Sequence, residues 1–72
     1  MKTYKISQAI TLTAIHGFNE VMLLGDYEET DRLVTLHQNW TPDGTEIVDF
    51  RLARGDYKGQ WIGNVRRPKE AA

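Results

Sequence analysis

Seventy-two residues, 40% of them hydrophobic and 26% charged, have the composition of one small globular domain and not of a disordered chain. The absence of cysteine excludes disulfides and thiolate metal sites. A net charge of −1 hides two opposed fields: residues 1–50 carry eight acids against three cations, and residues 51–72 carry six cations against two acids.

Residues 3–15 alternate. Tyr4, Ile6, Ile10, Leu12 and Ala14 share one face, and Lys5, Ser7, Thr11 and Thr13 the other, a period of two that predicts a first strand. The polar residues also interrupt what would be the apolar run of a signal peptide. No stretch approaches the roughly 18 apolar residues of a membrane span, so a cytoplasmic protein is expected. His16-Gly17-Phe18-Asn19 is a turn. Val21-Met22-Leu23-Leu24 is apolar on both faces and reads as a covered strand. Asp26 to Asp31 is a polar connection.

Arg32 to Trp40 alternates again, with Val34, Leu36 and Trp40 on one side. A competing pattern exists here. Asp26 and Glu29 resemble a capping box, and Leu33, Val34, His37 and Trp40 have helical spacing. Thr41-Pro42-Asp43-Gly44 is the strongest turn signal in the chain. In the next strand, Val48, Phe50 and Leu52 share one face while Ile47, Asp49 and Arg51 share the other. Arg54 to Gly59 is a loop bounded by glycine. In the last strand, Trp61 and Val65 point one way and Ile62 the other. Pro68 ends pairing, and residues 68–72 are expected to be a flexible tail.

The expected fold is all-β: a single domain over residues 1–67, built as a five-stranded antiparallel meander curled toward a barrel. The alternative is α+β, with a helix at about 27–40. The expected core is Ile6, Ile10, Leu12, Val21, Leu23, Val34, Leu36, Val48, Phe50, Leu52, Trp61 and Val65. A core this small contributes only about 3–5 kcal/mol, which a partner subunit would supplement.

Candidate sites fall into three groups. Ile47 and Ile62 lie opposite the core residues of their own strands, and Met22 and Leu24 cannot all be covered by one sheet. Such exposed apolar area on a small domain points to a protein interface, with a homo-oligomer as one form of it. Arg51, Arg54, Tyr57, Lys58, Arg66 and Arg67 combine cations with an aromatic, the chemistry that holds phosphates and stacks bases. Against this, parity buries Trp61 with Val65, and the pI of about 6.0 is low for a nucleic-acid binder. Asp26, Glu28, Glu29 and Asp31 form an acidic patch without the spacing of a calcium loop.

His16 and His37 are too few for a zinc site without cysteine. No serine, histidine and aspartate arrangement suggests a triad, and no cofactor motif is present. Arg54-Gly55-Asp56 and Asn39-Trp40-Thr41 match short recognition patterns that three residues meet by chance. The expected function is therefore that of a non-enzymatic binding or regulatory protein acting through a protein–protein interface. The alternative is a nucleic-acid-binding module that uses the basic C-terminal third.

Overall fold

Tyr4–Lys5 form a two-residue strand, β1, and the chain then turns at once into a helix, α1, Ile6–Ile15. This comes from a computed structural model that describes residues 2–25 and 31–68. The strand expected over residues 3–15 is thus confined to its first step. The reason lies in a second periodicity. Ile6, Ala9 and Thr13 are spaced at three and four, and these are the residues of α1 that are buried.

Local bonds suit the helix too. Gln8 Oε1 accepts the Lys5 N–H at 3.0 Å, covering one free donor at the start of the helix. The hydroxyls of Thr11 and Thr13 bond back to the carbonyls of Ser7 and Ala9 at 3.0 and 2.9 Å. At the other end Phe18 N–H reaches the Thr13 carbonyl and Gly17 N–H the Ala14 carbonyl, both at 3.0 Å, with Gly17 at φ 90°. That is a Schellman cap, and it needs a residue without a Cβ at position 17.

The chain continues as β2 (Glu20–Leu23), β3 (Leu33–Trp40), β4 (Glu46–Leu52) and β5 (Trp61–Arg67). The five strands form one antiparallel sheet in the order β1-β3-β4-β5-β2, curled as a half-barrel. The expected curled five-stranded sheet is therefore present. Its meander is β3–β4–β5, while β1 and β2 occupy the two edges. Because β3 is a strand, the helical alternative is overturned over residues 33–40. Residues 27–30 lie outside the described residues.

The β3–β4 turn follows its sequence. Thr41 N–H donates to the Thr45 carbonyl at 2.9 Å and Gly44 N–H to the Thr41 carbonyl at 3.0 Å, with Gly44 at φ 90°. The Asp43 carboxylate accepts the Thr41 hydroxyl and, at 3.0 Å, the Thr45 N–H. These donors hold the Asp43 pKa down at about 2.

Val34, Val48, Phe50, Leu52, Ile62 and Val65 make the inner face of the sheet, which meets Ile6 and Ala9 of α1 and Phe18. Tyr4, Ile10, Leu23 and Leu36 pack partly against it. Three expected core residues are placed differently. Leu12 is only half-buried on α1, Val21 is 48% exposed at the sheet edge, and Trp61 is half-buried on the outer face.

Ile62 takes the core place assigned to Trp61 and is fully buried. The cause is a β-bulge. Phe50 pairs with Gly63, but Arg51 pairs with Trp61, so β5 spends one extra residue, Ile62, against a single step of β4. Parity reverses at that point. Gly63 itself admits no side chain, since a Cβ there would lie 2.5 Å from the Met22 carbonyl oxygen and 2.7 Å from Leu23 Cδ2.

Candidate functional site

β2 is an edge strand, paired with β5 alone. Leu24 N–H donates to the Ile62 carbonyl at 2.8 Å, which fixes the phase of the ladder. Antiparallel bonding alternates, so Glu20, Met22 and Leu24 spend their main-chain groups on β5. Val21 and Leu23 then direct their N–H and C=O groups away from the sheet. Side chains along the same strand are apolar and open: Val21 is 48%, Met22 45% and Leu24 50% exposed. The sheet has a second open stretch, where β3 runs on beyond β1. There the exposed side chains are Gln38, Asn39 and Trp40, mostly polar.

The outer face carries a polar network. Asp49 accepts Asn39 Nδ2 at 2.6 Å on one oxygen and Trp61 Nε1 at 2.8 Å on the other. His37 Nε2 lies 2.8 Å from the Thr35 hydroxyl. Asn64 pairs with Asp49 on one side and Met22 on the other, and it is only 5% exposed. Its Oδ1 is buried and makes no hydrogen bond, and the same holds for Nε of Arg66. Both residues line a hollow of about 140 Å³ together with Glu20, Val21 and Met22.

Of the four residues expected at an apolar interface, Met22 and Leu24 are exposed on β2, and Ile47 is half-buried on the outer face. Ile62 is removed from this set by its burial. Val21 joins it. Sequence parity had placed Val21 inside, and its exposure follows from β2 being an edge.

The basic residues are divided rather than gathered. Arg54, Tyr57 and Lys58 are exposed on the β4–β5 loop, and Arg51 donates to the Gly59 carbonyl at 2.9 Å. Arg66 lies beside Ile47, four residues along β4 from Arg51, which is about 13 Å on an extended strand. Arg67 is on the inner face. It pairs with Glu46, donates to the His16 carbonyl and covers the Phe18 ring at 4.6 Å. Its bond, with help from Gln38, holds the Glu46 carboxyl below the usual carboxylate range.

In the acidic patch, Asp31 accepts the Ser7 hydroxyl at 3.1 Å. Asp26, Glu28 and Glu29 lie outside the described residues, as does most of the expected tail, residues 69–72. His16 caps α1 on the inner side and His37 sits on the outer face, so the structure does not bring the histidines together. Among the described residues no group of histidine and carboxylate side chains is placed to hold a metal ion. Nor is any helix among them long and apolar enough to cross a membrane. Compared with known protein families, curated proteins and solved structures, the chain matches none.

Proposed function

We propose that this is a non-enzymatic binding protein of the cytoplasm, which takes an extended segment of a partner polypeptide along the free edge of β2. One observation carries the reading. On β2 the unsatisfied main-chain groups of Val21 and Leu23 lie among three half-exposed apolar side chains. Strand addition uses both features: the ladder provides affinity and the alternate side chains provide selectivity. Open edges are normally blunted by lysine, proline or a bulge, and from Val21 to Leu24 the chain carries none of these.

A second reading has its own observation. Trp61 lies on the outer face with Arg51 as its strand partner, an aromatic beside a cation. That pair suits a single-stranded nucleic acid. We place it second because Trp61 spends its N–H on Asp49, and the remaining cations lie at opposite ends of β5 or on its inner face.

The test is capture from a lysate of the encoding organism, comparing wild type with Val21→Pro, with nuclease and salt arms. A partner retained through nuclease and moderate salt, and lost with Val21→Pro, supports edge docking. A partner that Val21→Pro still captures overturns it. Loss of all partners on nuclease treatment favours the nucleic-acid reading instead.

A further inference from the structure

We infer that the hollow between Asn64, Arg66 and Met22 is a binding pocket for a carboxamide, filled by a glutamine side chain of the partner polypeptide. The identity of the carrier rests on the edge-docking reading above; the chemistry of the pocket does not.

The pocket offers one buried donor and one buried acceptor, neither with a partner: Nε–H of Arg66 and Oδ1 of Asn64. Asn64 is 5% exposed, so its orphaned oxygen is turned toward the hollow and not toward open solvent. A buried polar atom without a partner is costly, and native structures rarely keep one without a reason. The complement must present an acceptor to Arg66 and a donor to Asn64 within one small group. A primary amide does this with its C=O and NH₂.

Charge argues against the rival ligands. An anion would satisfy Arg66, but it would face Glu20 in the wall of the same hollow and the oxygen of Asn64. Asp49, the strand partner of Asn64 on β4, favours the amino end of that side chain on its own side, leaving the oxygen for the hollow. A cation would meet Arg66. An apolar group would leave both orphans as they are.

Size agrees. About 140 Å³ is more than a few waters occupy at about 30 Å³ each, and it admits a carboxamide with one or two methylenes. The hollow opens beside Met22 on the docking strand. A side chain from an added strand must cross β2 to reach β5, two strand spacings or about 9.6 Å away. Of the two carboxamide residues, glutamine has the longer reach.

The probe is propionamide, the glutamine side chain from Cβ outward, titrated into the ¹⁵N-labelled chain and followed by NMR. The expected result is saturable movement of the Asn64 side-chain and Arg66 Nε–H signals. Isosteric propionate should bind about tenfold more weakly, as should propionamide to a folded Arg66→Lys variant. Asn64→Leu should lose the response altogether. If that variant does not fold, Arg66→Lys decides alone.

Stronger binding of propionate than of propionamide would make this an anion site and overturn the inference. No saturable movement with either would leave the hollow to water and overturn it equally. Val21→Pro should leave propionamide binding unchanged. Partner loss with intact propionamide binding therefore defeats only the edge reading, and the converse defeats only the pocket.

Discussion

The indole N–H of Trp61 donates to Oδ1 of Asp49 at 2.8 Å, so the larger aromatic of the last strand is tied to the outer face while its neighbour Ile62 fills the core. The two residues should therefore respond in the opposite order to the one their alternation implies. Ile62→Ala should cost about 2–5 kcal/mol in a denaturant melt, as a buried large-to-small change. Trp61→Phe keeps an aromatic on the face and loses one hydrogen bond, for about 1 kcal/mol. A larger loss from Trp61→Phe would mean that the bulge is misplaced.

Gly63 is the point where β2 and β5 approach most tightly. Gly63→Ala should push the Met22 carbonyl and the Leu23 side chain away, at about 1–3 kcal/mol. The damage should be local: amide exchange in β2 should rise well before exchange in the β3–β4 hairpin.

Proline distinguishes the two sides of β2. At Val21 it removes an N–H that points away from the sheet, so the folded chain should survive, with a melting temperature within a few degrees of wild type. At Met22 it removes a ladder bond to β5 and should cost about 3 kcal/mol or more. Equal effects at the two positions would contradict the ladder phase set by Leu24 and Ile62.

The Asp43 carboxyl should titrate by NMR with a midpoint near 2, against an ordinary value of 3.8. Its folded-state pKa is lowered, so what it adds to stability is fully present above about pH 4 and fades as the pH falls toward 2. Asp43→Ala should flatten that part of the acid-unfolding profile. An Asp43 midpoint near its ordinary value would mean that the Thr41 and Thr45 donors do not hold the carboxylate in solution.

The hairpin of β3 and β4 was legible because its signals agree: clean alternation on both arms and a Pro-Asp-Gly turn between them. The N-terminal segment was not, because Ile6 serves both periods and β-branched residues favoured the wrong one. Ala9, buried completely, was too small to register as a core position. Gly17, read as a turn glycine, was in fact a helix stop.

The bulge was harder. No side chain encodes an extra residue in a strand, and the available clue was an isolated glycine, Gly63, within an apolar pattern. Of the interface, Met22 and Leu24 followed from excess apolar character, whereas Ile62 inherited the parity error. Asn64 drew no notice as a lone polar residue in a short strand. Its importance depends on burial, which only the neighbouring strands create.

Arg67 joins the end of α1 to the end of β5 across 51 residues of sequence. The helix near the start of the chain thus depends on a side chain that is made last among its partners. During synthesis, Ile6 and Ala9 keep their apolar face uncovered until almost all of the sheet has emerged. Non-local contacts of this kind slow folding, because loop closure must precede the reward. The order of assembly is then the reverse of the order of synthesis: the central hairpin first, β5 next, and the N-terminal helix sealed only when Arg67 arrives.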